Sequence, residues 1–235
     1  MKTTPGRIVM PELLDSLPPA DRHALRSRLD LRRLNQWMNH SQLMARALSE
    51  NLNTRATCRI AELGAGDGHF LLSVARRLKS QWQSVEATLV DRQDTFDPAI
   101  RNDFNRLGWH VRVETTTVSE WFRQSSANSA DAITSNLFLH HFQGQELEEL
   151  LQLTARSTRV FVALEPRRSW LPRLCGHLLW VIRCNSVTRH DAGISIRAGF
   201  SGRELSALWP DKENWHLTER AAGLFSHLFI ARRKD

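Results

Sequence analysis

Short apolar runs alternate with amphipathic stretches along most of the chain, and this alternation predicts an α/β fold. Strand-length runs separated by helical patterns are typical of parallel strands joined by crossover helices, which form a doubly wound sheet. Five such runs follow one another along the chain: residues 59–63, 85–91, 111–115, 130–135 and 160–165. Residues 215–219 and 224–232 surround a short Ala-Ala-Gly turn and predict a final pair of strands.

Residues 11–50 precede the first strand and predict a helical cap. Pro19 and Asp21 are typical of a helix start, and the apolar residues after them recur with a nearly helical period: Leu25, Leu29, Leu34 and Met38. We therefore divide the chain into an N-terminal helical cap, residues 1–50, and a main domain, residues 51–235. The cap either closes over a substrate or packs as a plain extension of the domain.

A lid insert is predicted at residues 167–200, directly after the fifth strand. Its first half is rich in Trp and Leu at roughly helical spacing, a pattern usually found in a core, but Pro172 and Gly176 interrupt it. We therefore expect a mobile lid over an apolar substrate, formed by Trp170, Leu174, Leu178 and Trp180. Residues 189–191 are expected to form a polar loop at its hinge, with either a structural or a substrate-binding role.

Composition narrows the class of protein. The chain has 235 residues, 41% of them hydrophobic, which is enough for a full core, and a net charge of +7. Cys58, Cys175 and Cys184 form no C-x-x-C pair and no His/Cys cluster, so we expect free thiols in a reducing cytoplasm and no metal site. The N-terminus lacks an apolar signal-peptide region, and no run of ~20 apolar residues could span a bilayer. The basic charge leaves a peripheral membrane contact open.

A glycine-rich turn follows the first strand, in the run RIAELGAGDGHF of residues 59–70. Gly64, Gly66 and Gly68 stand on alternate positions after the strand-end acid Glu62, and an amphipathic helix begins directly after them. Such glycines let the chain turn tightly and let a ligand approach the backbone beside a helix N-terminus. A dinucleotide fingerprint would need glycine at position 69, where this chain has His69, so that fingerprint fails.

The motif E-x-G-x-G-x-G resembles motif I of the class I S-adenosylmethionine (SAM)-dependent methyltransferases, and residues 57–166 resemble their core. The resemblance implies SAM as the cofactor and a Rossmann-like sheet of seven strands with an antiparallel last strand. It implies that Glu62 lies under the methionine end of SAM and that Asp91 holds the ribose hydroxyls. Residues 117 and 118 would contact the adenine. The full set of implied cofactor-binding residues is Glu62, Gly64, Ala65, Gly66, Gly68, Asp91, Thr117, Val118 and Asn136.

Three histidines are candidate catalytic bases. An oxygen nucleophile loses a proton when it is methylated, and the usual histidine pKa of ~6.5 suits that task. His140 and His141 follow the fourth strand directly, and one of two adjacent side chains is expected to face the ligand crevice. His190, in the predicted loop, is the second candidate. An L-H-H element at this place in the resembled family can also serve packing, so a structural role for this pair stays open.

The L-H-H-F element and the helical inserts resemble those of the ubiquinone, menaquinone and secondary-metabolite methyltransferases. This implies methyl transfer to a small hydrophobic or aromatic metabolite, with oxygen slightly favoured over carbon as the acceptor. Residues 135–138 read SNLF and lack the proline-containing motif of nucleobase amine methyltransferases, which disfavours a nucleic-acid partner. Two alternatives remain: an RNA methyltransferase, favoured by charge alone, and a SAM-binding partner subunit without catalysis. The sequence predicts no oligomeric state.

Overall fold

The computed structural model describes residues 6–52, 57–124, 130–169 and 183–234 of the chain. Its strands are β1 (Cys58–Leu63), β2 (Val85–Asp91), β3 (Trp109–Thr115), β4 (Ala130–Asn136), β5 (Thr158–Pro166), β6 (Trp215–Ala222) and β7 (Ser226–Arg233). They form one seven-stranded sheet in the order β3-β2-β1-β4-β5-β7-β6. Strands β1 to β5 pair in parallel, and β7 is antiparallel to both β5 and β6. The predicted sheet is thus confirmed, except that the last turn lies at residues 223–225, after the two alanines.

Helices cover both faces of the sheet, as a doubly wound fold requires. They are α1 (Leu13–Ser16), α2 (Arg22–Trp37), α3 (His40–Asn51), α4 (His69–Leu78), α5 (Arg101–Arg106), α6 (Val118–Gln124), α7 (Gly144–Ser157), α8 (Ser186–Ala198) and α9 (Glu204–Leu208). Met44 of α3 and Leu71 of α4 are fully buried in the core on one face. Phe122 of α6 and Leu151 of α7 are buried in the core on the other face.

The strand order reverses between β1 and β4, which pair directly although β1 is followed in the chain by β2. In open parallel sheets, ligands bind in the crevice beyond the carboxyl ends of the strands at such a reversal. The glycine turn leaves the end of β1, and the short 3-10 turn Leu139–His141 follows the end of β4. Both predicted motifs therefore lie at the same edge of the sheet.

Helix α2 confirms that the N-terminal part of the chain is helical, but it packs through an unexpected side. Asp21 begins the helix, because its carboxylate accepts the N–H groups of His23 and Ala24 at 2.7 and 3.2 Å. Its buried residues are small or polar, namely Ala24, Ser27 and Asp30, whereas Leu25 and Leu29 are each 52% exposed. A helical period identifies a helix without saying which of its faces meets the protein, so the apolar stripe did not reveal this orientation.

The predicted polar loop at residues 189–191 is wrong, because these residues lie within α8. Asn185 caps this helix by accepting the N–H of Thr188 at 2.8 Å, and Val187, Ile194 and Ala198 form its buried side. The predicted lid stripe from Trp170 to Trp180 lies outside the described residues. The lid and the division into cap and main domain therefore stay predictions.

The N-terminal strap, which we define as residues 6–16, crosses the carboxyl edge of the sheet. The guanidinium of Arg7 donates to the carbonyls of Ala198 and Phe142 at 2.8 and 3.0 Å. Further along, the carboxylate of Asp191 on α8 accepts the N–H groups of Leu13 and Leu14, each at 2.9 Å. These contacts hold α1 against α8 and bring two acids of the strap to the crevice.

Candidate active site

A cleft of about 970 Å³ opens at the carboxyl ends of β1, β2 and β4. This is the upper end of the size usual for small-molecule sites. The cleft is bordered by the sheet edge, the N-terminal strap, α2 and α8. Its lining includes Glu12, Asp15, Leu34, Trp37, Gly64, Asp91, Thr117, Val118, Phe138, His140, His141, Phe142 and Phe225. The structure thus brings together residues from the cap and from the predicted cofactor site.

Gly64 and Gly66 of the glycine turn are required for different structural reasons. At Gly64, with φ +68°, an added Cβ would lie 2.3 Å from the ring of Phe138. At Gly66, with φ +55°, an added Cβ would meet no atom within 4 Å. Gly64 is therefore required by packing as well as by its left-handed backbone, whereas Gly66 leaves the main chain open to a close ligand. Ala65 lies between them, and its N–H donates to the carbonyl of Val90 at 3.1 Å.

Asp91 connects the end of β2 to this turn. Its Oδ2 accepts the N–H of Gly66 at 2.8 Å, and its Oδ1 accepts the N–H of Gln93 at 2.9 Å. An ionised carboxylate has about four lone-pair sites, so both oxygens can still accept hydrogen bonds from a ligand. Because Asp91 also lines the cleft, its geometry suits the ribose-binding role that the resemblance implies.

Glu62 is a fully buried acid with an oxygen that no group in the described residues satisfies. It is 1% exposed, and its Oε2 has no hydrogen-bond partner. Burial, followed by the charges of Asp67 and Asp91, raises the pKa of the Glu62 carboxyl well above its usual value. Glu62 is not itself among the residues that line the cleft, but it lies two positions before Gly64, which does. Buried polar atoms are normally paired, so an orphaned acid at this place fits a site that receives a polar or cationic ligand group.

Asp67 links the glycine turn to the cap. Its Oδ2 accepts the Nε–H of Arg32 on α2 at 2.8 Å, and its Oδ1 accepts the N–H of His69 at 3.1 Å. Burial alone would raise the pKa of Asp67, but these hydrogen bonds and the Arg32 charge lower it. The ion pair between Asp67 and Arg32 therefore holds α2 over the glycine turn.

Thr117 and Val118 line the cleft at the start of α6, where adenine contacts were expected, but Asn136 is not among the cleft residues. The Asn136 side chain lies under the cap: its Oδ1 is 2.8 Å from Nδ1 of His40, and its Nδ2 donates to Asn35 at 3.0 Å. Burial lowers the pKa of His40 to about 4, so that imidazole is neutral and can donate through Nδ1. The geometry therefore supports a role in cap attachment for Asn136.

His140 is held between two carboxylates and is a poor candidate for a base. Its Nδ1 lies 2.8 Å from Glu165 and its Nε2 lies 3.2 Å from Glu12, so both nitrogens donate to acceptors. Burial lowers the pKa of His140, but the hydrogen bonds and charges of Glu12 and Glu165 outweigh it and raise the pKa to about 9. At neutral pH His140 is an imidazolium and has no lone pair for a substrate proton.

Glu165 anchors the whole L-H-H turn. This carboxylate is completely buried and also accepts the N–H groups of Phe138 and Leu139 at 3.1 and 2.8 Å. Burial would raise the pKa of Glu165, but its hydrogen bond and charge interaction with His140 lower it. The two residues form a buried ion pair that fixes the backbone after β4.

His141 has the opposite protonation and faces the cleft. Burial, and then the positive charge of His140, lower its pKa below the usual value of 6.5. Its Nδ1 lies 3.4 Å from Oδ2 of Asp15 on the strap, and its side chain is 24% exposed. Of the two adjacent histidines, the one with a neutral ring at pH 7 is therefore His141.

Glu12, His140 and His141 also bring one potential metal-ligand atom each to within 4.8 Å of one another. The direct hydrogen bond from His140 to Glu12, and a second from Ser195 to Glu12, account for this grouping without an ion. The prediction that the protein uses no metal stays untested.

His190 is not brought to this site. It lies on α8 with a side chain 53% exposed, its Nδ1 is 3.0 Å from Asp191, and it does not line the cleft. The predicted loop that would have carried it to the cleft is a helix, so we do not keep it among the proposed catalytic residues.

Comparisons with known proteins agree with the fold and the cleft described above. A family model described as a methyltransferase domain matches residues 60–160, from β1 to β5. No curated protein is significantly similar to the chain. Among solved structures, an O-methyltransferase family protein from Burkholderia thailandensis has a TM-score of 0.60 at 19% identity and aligns over 94% of this chain and 64% of its own. Residues 60–160 of the chain thus match a methyltransferase domain, on a fold that solved methyltransferases share.

Two further structures share this methyltransferase fold. A putative O-methyltransferase from Nostoc punctiforme has a TM-score of 0.59 at 14% identity, over 91% of this chain and 62% of its own. The plantazolicin methyltransferase BpumL was solved in complex with S-adenosylhomocysteine (SAH). It has a TM-score of 0.63 at 12% identity, over 94% of this chain and 93% of its own. The chain thus spans less than two thirds of the first two proteins. At these identities the likeness shows the fold alone, and the roles of individual residues stay predictions.

The cleft also contains acids that the sequence motifs did not indicate. Glu12 reaches His140 from 128 positions away in the chain, and Asp15 contacts His141 from the same strap. Both acids stand in the segment PELLD, whose local pattern predicts only the beginning of the cap. No helix in the described part of the chain is long and apolar enough to cross a membrane.

Proposed function

We propose that the protein binds SAM in this cleft and transfers its methyl group to an oxygen of a small hydrophobic or aromatic metabolite in the cytoplasm. The observation that carries the proposal is the continuity of the cleft. Gly64 and Asp91 line one part, and His141 lines the same space together with apolar side chains of the cap. Cofactor, acceptor and base could thus meet without a large rearrangement.

The part of the cleft beside the glycine turn and Asp91, which we assign to the cofactor, fits the chemical groups of SAM. The ribose diol can donate to Asp91, and the orphaned Oε2 of Glu62 suits the methionine end, where a positively charged amine is carried. Gly66 leaves room for the ligand against the backbone, while residues 117 and 118 line the region expected for adenine. The complex of BpumL with SAH, on a similar fold, supports this assignment.

The part of the cleft that we assign to the methyl acceptor is lined mainly by apolar side chains. Leu34, Trp37 and Met38 come from the cap, Phe142 follows the L-H-H turn, and Phe225 lies at the tip of the β6–β7 hairpin. Burial of apolar surface contributes roughly 25 cal/mol per Å², so this lining favours a hydrophobic or aromatic acceptor. A polyanionic RNA substrate has little to gain from such walls.

In the proposed reaction, the acceptor oxygen attacks the methyl carbon in line with the sulfonium sulfur, and the carbon–sulfur bond breaks to release SAH. Holding the three atoms in line is the main contribution of the protein, and positioning of this kind supplies ~7–11 kcal/mol. The acceptor proton passes to the neutral ring of His141, which is expected to speed the step by ~10²–10⁴-fold. Asp15 positions this ring, and the carboxylate stabilises the imidazolium that forms.

The test is direct binding followed by product detection. Calorimetry should show SAM and SAH binding, and ligand at a hundredfold excess over its dissociation constant should stabilise the fold by ~2.7 kcal/mol. Incubation of the protein and methyl-labelled SAM with a metabolite extract should then yield a labelled apolar product, identified by mass spectrometry. A folded protein that binds neither ligand would refute the proposal. Tight SAH binding without any labelled product would support a SAM-binding partner subunit, and labelled RNA would support the RNA methyltransferase alternative.

A further inference from the structure

Helix α2 carries an exposed face that combines large apolar and basic side chains. At 100° per residue, the members of this face span about a third of the helix circumference. They are Arg22, Leu25, Arg26, Leu29, Arg33, Gln36 and Trp37, all of which are exposed. We call this set the α2 face. A helix side that packed against the described protein would bury these leucines, so the pattern calls for a partner outside it.

Every charged side chain on the α2 face is an arginine. The acid of this helix, Asp30, is buried. It accepts the backbone N–H of Asn185 at 2.8 Å and pairs with Arg33 at 3.3 Å, so it offsets Arg33 alone and leaves Arg22 and Arg26 to carry the positive charge of the face. A shallow depression beside the face is lined by Arg183 and Arg189 as well. The chain as a whole has a net charge of +7. The partner should therefore be negatively charged.

Trp37 joins the α2 face to the cleft. It is 57% exposed, it lines the cleft, and its ring lies 5.5 Å from that of Phe225 on the β6–β7 hairpin. Met10 of the strap, 45% exposed, also lines the cleft. One end of the α2 face thus borders an apolar mouth of the proposed acceptor site.

We propose that the α2 face docks on an anionic lipid surface, so that an apolar acceptor enters the cleft from the bilayer. Leu25, Leu29 and Trp37 would enter the boundary between head groups and acyl chains, where apolar and aromatic side chains are favoured. The arginines meet phosphate and carboxylate head groups. A second copy of this chain is a poorer occupant, because it would bring two arginine faces together. The proposal deepens the proposed function, since it names the source of the acceptor.

The experiment measures sedimentation of the protein with vesicles of pure phosphatidylcholine and with vesicles of equal parts phosphatidylcholine and phosphatidylserine. One variant, Leu25→Ser/Leu29→Ser, removes the apolar contacts, and another, Arg22→Gln/Arg26→Gln, removes the charges. The matched controls are Leu224→Ser, which changes an exposed leucine outside the α2 face, and Arg156→Gln/Arg203→Gln, which makes the same charge change on other surfaces. SAH affinity is measured on every protein to confirm folding, and it reports on the proposed function separately from vesicle binding.

We expect binding to the anionic vesicles alone, with an affinity about fivefold lower for each α2 arginine removed. The leucine variant should also lose binding, and both controls should keep it. Absence of vesicle binding, or equal losses in the controls, would overturn the proposal. Binding of a poly(U) RNA that needs the α2 arginines but not the leucines would assign the face to nucleic acid instead. Concentration-dependent dimers that only the leucine variant abolishes would assign it to a second copy.

Discussion

The position of His140 between Glu12 and Glu165 makes a quantitative prediction about stability and pH. Folding raises the pKa of His140 from 6.5 to about 9, which corresponds to about 3 kcal/mol of stabilisation of the charged form. Because the folded-state pKa is the higher one, this stabilisation is complete below pH 6.5 and is lost as the pH rises through about 9. We therefore expect the free energy of unfolding of the wild type to fall by about 3 kcal/mol across that window through this group.

The perturbation is His140→Gln, which keeps a hydrogen-bond donor but removes the charge and the titration. Below pH 6.5 the variant should be less stable by about 3–5 kcal/mol, because Glu165 stays buried without its cation. Above the folded-state pKa of His140 the two proteins should converge. Urea unfolding followed by circular dichroism at several pH values gives both free energies, and His190→Gln is the control for an exposed histidine.

A variant that shows the same pH dependence as the wild type would refute this reasoning, since the slope in that window could not then come from His140. If His140→Gln does not fold, the imidazole signals of the wild type in NMR spectra decide the question. One ring should then titrate near pH 9. Spectra in which every histidine ring titrates near the usual histidine pKa would contradict the contacts of His140 with Glu12 and Glu165.

Other substitutions and treatments test the remaining site. His141→Ala should lower kcat by ~10²-fold or more with unchanged SAH affinity. In the wild type the rate should stay on its plateau below pH 6.5 and fall only as the pH drops through the lowered pKa of His141. Asp91→Ala should weaken SAM binding by about 3 kcal/mol or more, because two charge-assisted hydrogen bonds are lost, and wild-type affinity by calorimetry would contradict the assignment. Gly64→Ala should lower the melting temperature, because the new Cβ would lie 2.3 Å from Phe138. Dialysis against EDTA should leave methyl transfer unchanged, and a loss that zinc restores would instead assign a metal to the Glu12 cluster.

Local patterns were sufficient for the parts of this protein that depend on neighbouring residues. Strand positions follow from apolar runs, so β2 was predicted with its correct bounds, Val85–Asp91. The glycine turn follows from a backbone that needs positive φ at residues 64, 66 and 68. An acid at the end of β2 lies beside that turn in any parallel sheet of this order, so the position of Asp91 could be predicted as well, whereas its role stays a prediction.

The protonation of the two adjacent histidines could be decided only by the tertiary structure. His140 and His141 have the same local sequence, and their pKa values diverge because Glu165, 25 residues away, and Glu12, 128 residues away, both contact the first. The orientation of α2 is a similar case. Its exposed leucines and its buried Asp30 both fit a helical period, so the sequence pattern does not tell the exposed face from the buried one. Contact with α8 selects the face that is buried. Charge and burial are sums over neighbours in space, and a sequence orders only neighbours along the chain.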